Sequence, residues 1–374
     1  MRLVVIDHHQ TEFEKLKNSK NVEIVYASSM QDFYQKTREY LKEDYDLTIS
    51  DEDPDGITSV IIYSLFKNKI LNFKGNRSGL NQEQVKEMED KGLKNVVALD
   101  WFPFNYIDLK LFSKIVYLNP RINNLPNVNT SEIIYQSLPE TGKFGRDLSA
   151  IGTVCDYLVD YCQDKMNEVV LEYKELFPEL EELALNGKLN RYNIYETNNK
   201  NTKFFDLSLM LWAPFILEGE EGNDKLVKLA MENRNFTLRD LCLGSENPAV
   251  SYLRSLHSDL VNKISEEKDN FNKNKKVINN LVLYEMMHHA NGFMSKFSSI
   301  IADEAGQETI ITMKGKNPEK PIIKYSLRTR SNKHNLGKIL KELNVGGGHE
   351  NAAGANVPLE KEEWFENELI KRLT

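Results

Sequence analysis

The sequence predicts an α/β protein: a doubly wound, mostly parallel sheet domain with a helical extension, joined by a connecting helix to a smaller α/β C-terminal domain. Three observations predict it. In residues 1–150, short apolar runs alternate with amphipathic stretches, as in a parallel sheet covered by helices. Residues 150–245 carry apolar residues at helical spacing. A second series of apolar runs, with a glycine cluster, follows a charged segment at 266–270.

The domain boundaries follow from these changes in pattern. We expect a first domain over 1–245, with its sheet in residues 1–150 and its helical extension in residues 150–245, a connecting helix over 246–276 and a C-terminal domain over 277–374. The predicted strands of the first domain are Leu3–Ile6, Val22–Tyr26, Leu47–Ile49, Ile70–Phe73, Val96–Leu99, Ile115–Leu118 and Glu132–Tyr135. Those of the C-terminal domain are Val277–Tyr284, Thr309–Met313 and Ile322–Leu327, before a closing helix Lys361–Leu373. Because ligands bind at the carboxyl ends of parallel strands, the residues after each strand are the first site candidates.

Composition excludes some classes of protein. The 374 residues carry a formal net charge of -8, which argues against a nonspecific duplex binder but leaves room for a local basic groove that holds a single strand. No run of 18 apolar residues and no signal peptide is present, so we expect no membrane contact. The three cysteines lack metal-ligand or disulfide spacing, which indicates a reducing, cytoplasmic location.

An acidic run follows the third predicted strand. Three carboxylates, Asp51, Asp53 and Asp55, occupy alternate positions and would repel one another without a cation among them. A helix N-cap would need only one of them. Asp100 follows the strand Val96–Leu99, and in a parallel sheet it can reach the same crevice. The sequence therefore predicts a metal site built from these four aspartates.

A glycine cluster near the C-terminus is the second strong motif. Gly346, Gly347 and Gly348 precede His349, and consecutive glycines let backbone N–H groups approach an anion closely. Upstream, Arg328 and Arg330 end a predicted strand and suit phosphate recognition. A glycine turn with solvated arginines would explain each feature alone. Together they predict a phosphate-binding site that includes all six residues.

These motifs resemble those of the DHH phosphoesterase superfamily, in its RecJ-like branch with a DHH-associated C-terminal domain. The acidic run resembles the first motif of that family, Asp100 the second, and Arg146–Gly152 the Leu-Ser-x-x-Gly helix start. The glycine cluster resembles the loop that holds the nucleic-acid end. The resemblance implies a two-metal site, usually manganese (or magnesium), that hydrolyses phosphodiesters, with single-stranded DNA or RNA as partner.

The chain departs from the family at the third motif, Asp-His-His, expected on the strand after the second. Asn119-Pro120-Arg121 stands there, while an Asp7-His8-His9 segment follows the first strand, out of order. Either the first strand takes the third motif's place in the sheet, which makes His8 and His9 site residues, or the match is coincidental. In another alignment, residues 100–103 are a degraded third motif. The fourth motif supplies an aspartate near a helix end, and Glu218 is its candidate replacement.

Two functions compete. The loss of the third motif from its usual strand favours a degenerate RecJ-like scaffold in DNA replication or repair. That scaffold would have lost its metal but would bind single strands and a GINS-type partner, as in the archaeal branch that the resemblance includes. The alternative is an active manganese-dependent single-strand exonuclease or oligonucleotide phosphodiesterase, favoured by the intact first motif and glycine loop. A small-molecule pyrophosphatase would lack the glycine loop. We predict the scaffold.

Overall fold

The computed structural model describes residues 1–9, 16, 19–69, 71–75, 82–101, 111–197, 200–234, 236–286, 292–306, 308–316, 320–331, 333–348 and 350–374. The chain divides into two compact units, Met1–His257 and Ser258–Thr374. The division falls within one long helix, Pro248–Asn274. Among the described residues, no helix is both long and apolar enough to cross a lipid bilayer.

The first unit is built on a six-stranded sheet in which every neighbouring pair is parallel. Its strands are Arg2–Ile6 (β1), Val22–Ile24 (β2), Leu47–Ser50 (β3), Phe73–Gly75 (β4), Asn95–Leu99 (β5) and Lys114–Leu118 (β6). Their spatial order is β2-β6-β1-β5-β3-β4. The predicted parallel sheet is confirmed, and the first strand of the chain lies inside it, between β5 and β6.

Burial explains why β1 takes an interior position. Leu3, Val4, Val5 and Ile6 are all fully buried, as in strands of parallel sheets covered on both faces. Val4 and Ile6 belong to the apolar cluster on one face, and Leu3 and Val5 belong to the cluster on the other. A strand that is apolar on both sides would lose this burial at a sheet edge.

The described part of the first unit also contains helices. They are Met30–Lys42 (α1), Pro54–Lys67 (α2), Gln82–Asp90 (α3), Thr130–Ser137 (α4), Gly142–Cys155 (α5), Gln163–Glu172 (α6), Glu181–Leu185 (α7), Lys203–Glu218 (α8), Glu220–Glu232 (α9) and Leu238–Leu243 (α10). Short 3-10 turns cover Pro120–Asn123, Pro139–Thr141 and Val159–Tyr161, and Glu196–Thr197 (β7) pairs with Lys200–Asn201 (β8). The helices α2, α4 and α5 pack against one another.

Three strand predictions need correction. The single strand predicted over Val277–Tyr284 is two strands, Lys276–Ile278 and Leu281–Glu285, which pair antiparallel. The predicted strand Glu132–Tyr135 is wrong, because these residues lie within α4. The run is short and its apolar residues are buried, so its hydrophobicity alone does not distinguish a strand from a buried helix. The strand predicted over Ile70–Phe73 begins later, at Phe73, and Ile70 lies outside the described residues.

The second unit continues from the long helix Pro248–Asn274 (α11) into a mixed sheet. Its strands are Lys276–Ile278 (β9), Leu281–Glu285 (β10), Ile310–Lys316 (β11), Ile322–Thr329 (β12), Gly346–Gly348 (β13) and Ala352–Pro358 (β14), in the order β13-β14-β12-β11-β10-β9. Only β10 and β11 pair in parallel among these described strands. Its helices are Phe293–Glu304 (α12), Leu336–Glu342 (α13) and Glu362–Leu373 (α14), with a 3-10 turn at Leu359–Lys361. The smaller α/β unit is confirmed.

Candidate metal centre

Three neighbouring strands end at the same level of the first sheet. Ile6 of β1 and Ser50 of β3 both pair with Leu99 of β5. The residues that follow these three positions are Asp7-His8-His9, the acidic run that begins at Asp51, and Asp100. The register therefore brings three sequence motifs to one sheet edge.

His8 lies at the centre of a group of carboxylates. Its Nε2 atom is 2.9 Å from Oδ2 of Asp156, 3.3 Å from Oδ1 of Asp100 and 3.9 Å from Oδ2 of Asp55. The His8 side chain and the Asp55 and Asp100 carboxylates are buried. Burial by itself lowers the pKa of His8, but the interaction with the carboxylates of Asp100 and Asp156 outweighs it and raises that pKa well above its ordinary value.

Asp156 is a site residue that the sequence analysis missed. It is the C-cap of α5, so it is an aspartate at the end of a helix, which is what the resemblance requires of the fourth motif. The motif Arg146–Gly152 lies in the same helix and is the signal that could have located this aspartate. Glu218, the predicted substitute, instead accepts a hydrogen bond from the Tyr252 hydroxyl at 2.7 Å. It belongs to neither group of described residues that could hold an ion.

The amino end of α4 fixes Asp55. Its Oδ1 accepts hydrogen bonds from Nδ2 of Asn129 at 2.5 Å and the backbone N–H of Ser131 at 3.0 Å, and its Oδ2 accepts from the backbone N–H of Thr130 at 2.8 Å. The Thr130 hydroxyl also donates to Oδ1 of Asp100 at 3.0 Å. The unpaired N–H groups of a helix start suit a carboxylate, so α4 holds this pair of acids in place.

Two glycines are required for this close packing. A Cβ at Gly152 of α5 would lie 2.8 Å from Oδ1 of Asp55 and 2.2 Å from the Ser131 hydroxyl oxygen. A Cβ at Gly56 would lie 2.4 Å from the carbonyl oxygen of Asp51. Both helices therefore approach the acidic site at positions where only glycine fits.

Asp53 has a structural role as well as a place in the site. Its side chain accepts from the backbone N–H of Gly56 at 3.0 Å and is the N-cap of α2. Burial, followed by the charges of Asp100, Asp51 and Asp55, raises the pKa of Asp53 well above its ordinary value. The cap interpretation therefore holds for Asp53, and neither Asp51 nor Asp53 belongs to a group of described side chains that could hold an ion.

The pKa values of Asp100 and Asp156 are perturbed in the same direction. Burial and the charge of Asp55 raise the pKa of Asp100 to about 7 and that of Asp156 to about 6. Asp100 also has a backbone φ of 54°, an uncommon conformation for a residue with a side chain. The acids crowd together at a cost in electrostatic repulsion, which a bound cation would relieve.

Next to this group, Asp7 pairs with His9. Its Oδ1 lies 2.7 Å from Nδ1 of His9. Burial raises the pKa of Asp7, but the charge of His9 outweighs it and lowers that pKa. Burial lowers the pKa of His9, but the charge of Asp7 outweighs it and raises that pKa to about 10.

Two overlapping sets of side chains could hold metal ions. One comprises His8, His9 and Asp100, and the other comprises His8, Asp55 and Asp156, with ligand atoms within 4.8 Å of one another in each set. Among the described residues, neither ring nitrogen of His8 nor Oδ2 of Asp100 has a hydrogen-bond partner of acceptable geometry, although all three are buried. Buried polar atoms are normally paired, and mixed imidazole and carboxylate donors suit a first-row divalent ion. The residues fit a metal such as manganese.

Comparisons with known proteins agree with this architecture. Residues 279–374 match the DHHA1 domain family. The structure resembles that of an exonuclease RecJ bound to manganese, with a TM-score of 0.55 and 14% identity over 92% of this chain and 94% of that one. The fold is that of the RecJ-like DHH proteins. The predicted resemblance is confirmed at this level.

Two further structures share the fold. RecJ from Thermus thermophilus in complex with Mn²⁺ gives a TM-score of 0.58 with 13% identity, over 92% of this chain but only 54% of that longer one. A pGpG-specific phosphodiesterase from Vibrio cholerae gives 0.50 with 14% identity, over 88% of this chain and 99% of that one. The chain matches no protein of curated function by sequence.

In the first sheet, β5 lies between β3 and β1, and β6, the next strand along the chain, lies on the far side of β1. Asn119, which stands where the third motif was expected, follows β6, one strand further out. The structure therefore places the out-of-order Asp7-His8-His9 segment beside Asp100. Trp101, which the degraded-motif alignment would put in a histidine position, is buried in an apolar cluster.

The predicted nucleic-acid residues lie in the second unit. Nε and Nη2 of Arg328 donate to the hydroxyls of Ser299 and Ser295 on α12, and Arg330 pairs with Asp303 of the same helix. The glycine cluster forms β13, and its Gly348 has a φ of 143°. His349 lies outside the described residues.

Proposed function

We propose that this protein is an active divalent-metal-dependent phosphodiesterase that hydrolyses short single-stranded oligonucleotides. The observation that carries the proposal is the position of His8, whose Nε2 lies within 4 Å of carboxylate oxygens of Asp55, Asp100 and Asp156. An abandoned site would have no need to keep a buried imidazole among three acids. Such an arrangement costs desolvation and repulsion energy unless a cation is bound.

The residues that would hold the metal are His8, His9, Asp55, Asp100 and Asp156. When bound, divalent ions at such a site supply charge neutralisation at the phosphate and a nucleophile derived from water at neutral pH. The protein's own contribution is preorganisation. The start of α4 holds Asp55 through three hydrogen bonds and Asp100 through the Thr130 hydroxyl, so the ligands need little rearrangement to receive an ion.

The substrate class is supported by the second unit and by charge. The DHHA1 match covers residues 279–374, which include Arg328 and the glycine cluster, and both suit phosphate groups. The net charge of -8 disfavours long polyanions, since binding to a long strand depends on many phosphate contacts. A strand of a few nucleotides needs only a local phosphate site. The structurally similar proteins include an exonuclease and a phosphodiesterase of a dinucleotide.

The degenerate scaffold is the second candidate and is now less favoured. The feature that supported it was the absence of histidines after β6, and β1 supplies histidines at the same sheet edge. The GINS-type partner and the role in DNA replication or repair remain predictions that follow only from the resemblance.

The test is hydrolysis of end-labelled DNA and RNA oligonucleotides of two to twenty nucleotides, with Mn²⁺, Mg²⁺ or a chelator. We expect Mn²⁺-dependent release of mononucleotides, fastest on the short strands, with no release after chelation. Asp55→Asn is expected to abolish release, and Asp44→Asn, at an exposed position of the same unit, is expected to have no effect. Absence of hydrolysis on every strand, with Mn²⁺ bound, would contradict the proposal and favour the scaffold.

A further inference from the structure

The end of β6 contacts the Asp7-His8-His9 segment through two side chains that are not metal-ligand candidates. Tyr117 lies opposite Val5 in the β1–β6 pair and is fully buried. Its hydroxyl donates to Oδ2 of Asp7 at 3.0 Å. Nδ2 of Asn119 donates to the same hydroxyl oxygen at 2.8 Å. These contacts form a chain from β6 to the aspartate of the segment.

One backbone group sets the donor-to-acceptor direction of these hydrogen bonds. The N–H of Arg121 donates to Oδ1 of Asn119 at 3.0 Å, so the other amide atom is the nitrogen. That Nδ2 donates to the carbonyl oxygen of His9 at 2.9 Å and to the Tyr117 hydroxyl oxygen. Because a hydroxyl has a single hydrogen, the Tyr117 hydrogen is directed to Asp7.

The same reasoning extends to the imidazole. Oδ2 of Asp7 accepts from Tyr117, and its Oδ1 accepts from the backbone N–H of His9 at 3.1 Å. Asp7 is thus an acceptor at both oxygens, so Nδ1 of His9, 2.7 Å from Oδ1, carries a hydrogen. Nδ1 also lies 3.7 Å from Oδ1 of Asp100. Because the hydrogen on Nδ1 occupies its lone pair, Nε2 is the nitrogen that keeps a lone pair for a metal.

We propose that Tyr117 and Asn119 are positioning residues that hold Asp7 and thereby fix the ring orientation and metal-binding nitrogen of His9. The inference rests on the proposed metal-dependent function. Packing alone does not require a tyrosine, because the ring lies in an apolar cluster with Leu3 and Val5 where phenylalanine would fit. A buried hydroxyl costs free energy unless it is hydrogen-bonded, and here its partners lead to the site.

The test is the affinity of the full chain for Mn²⁺, measured by isothermal titration calorimetry. Tyr117→Phe keeps the ring and removes the donor to Asp7, and we expect Mn²⁺ binding to weaken by about 10- to 100-fold. The matched control is Tyr45→Phe, which removes a hydroxyl that donates to the Tyr40 carbonyl oxygen at 2.9 Å in the same unit. It is expected to leave Mn²⁺ affinity unchanged.

A second variant removes the hydrogen-bond donors of Asn119 and keeps the size of its side chain. Asn119→Asp keeps an acceptor for the Arg121 N–H but removes the donors to Tyr117 and His9. Asn119→Asp is expected to weaken Mn²⁺ binding. In the double variant with Tyr117→Phe, the loss of Mn²⁺ affinity should be smaller than the product of the two single losses, because both residues act through Asp7.

The outcomes are distinct. Equal Mn²⁺ affinity in the wild type and Tyr117→Phe would overturn this inference and leave the proposed function intact. The same loss in Tyr117→Phe and Tyr45→Phe would indicate a general loss of structure and would also overturn it. Absence of Mn²⁺ binding by the wild type would overturn the metal centre itself, and with it the proposed function.

Discussion

Oδ2 of Asp156 lies 2.9 Å from Nε2 of His8, so the residue after helix α5 meets the segment after strand β1. Neither residue is close to the acidic run in sequence. Their contact completes a cluster of one imidazole and three carboxylates, and the first predictions concern it.

Asp156→Asn is expected to weaken Mn²⁺ binding by about 100-fold or more. Loss of a residue that only hydrogen-bonds to a metal ligand weakens metal binding by about 10- to 100-fold, and this change removes a charged ligand candidate itself. Glu218→Gln is the control, since Glu218 bonds to Tyr252 and belongs to neither ion-holding group of described residues. Calorimetric titration with Mn²⁺ measures both. If Glu218→Gln weakened Mn²⁺ binding more than Asp156→Asn does, Glu218 and not Asp156 would be the metal ligand of the fourth motif.

Mn²⁺ is expected to stabilise the protein against unfolding. Ligand at about 100 times its dissociation constant adds about 2.7 kcal/mol to the free energy of unfolding when only the folded state binds. Thermal unfolding with and without Mn²⁺ measures this, and Asp156→Asn should show a much smaller increase at the same concentration. An equal increase in the two proteins would mean that the ion binds elsewhere.

A buried ion pair below the site predicts a pH effect. Nζ of Lys165 lies 2.5 Å from Oε2 of Glu132, and both side chains are buried. Burial raises the pKa of Glu132, but the charge of Lys165 outweighs it and lowers that pKa. When folding lowers a carboxyl pKa, the resulting stability is fully present above the pKa of the unfolded state, about 4.3 for glutamate. It is lost as the pH falls through the pKa of the folded state.

At neutral pH, Glu132→Gln is therefore expected to reduce the free energy of unfolding by about 3–5 kcal/mol, because Lys165 is left buried without its partner. Glu140→Gln is the control: it removes an exposed pair with Arg38 and should cost less than about 1 kcal/mol. Urea unfolding at pH 7 and pH 3.5 measures both effects. The difference between wild type and Glu132→Gln should shrink at the lower pH, and a constant difference would contradict the assignment.

Arg328→Ala is expected to weaken binding of a single-stranded oligonucleotide and to reduce the dependence of log affinity on log salt concentration by about 0.7, the contribution of one phosphate contact. Arg372→Ala, which removes contacts with Glu342 and Glu368 in the same unit, is the control. Fluorescence anisotropy over a salt series gives both slopes. An unchanged slope for Arg328→Ala would exclude Arg328 as a phosphate contact.

The fold was largely predictable because its signals are local. Apolar runs at β1, β3, β5 and β6 are buried on both faces and can be recognised one at a time. The α4 segment was mistaken for a strand because six of its eight residues are buried, so that no exposed polar face reveals the helical period.

The site was less predictable because it depends on strand order. Asp53, Asp55 and Asp100 follow two strands that pair, so their proximity could be inferred. The proximity of His8 to Asp100 depends on β1 lying between β5 and β6, an arrangement that chain order does not specify. Asp156 was missed because a single aspartate after a helix also reads as an ordinary cap, and only the packing of α5 against α2 brings it to the site.

The most direct test of the central claim is a crystal structure of the chain soaked in Mn²⁺, with the ions located by anomalous scattering. We expect manganese bound by a ring nitrogen of His8 together with carboxylate oxygens of Asp55, Asp100 and Asp156, at about 2.0–2.3 Å. Manganese that binds without His8, or no anomalous peak at the ends of β1, β3 and β5, would contradict the claim that the first strand restores the metal centre.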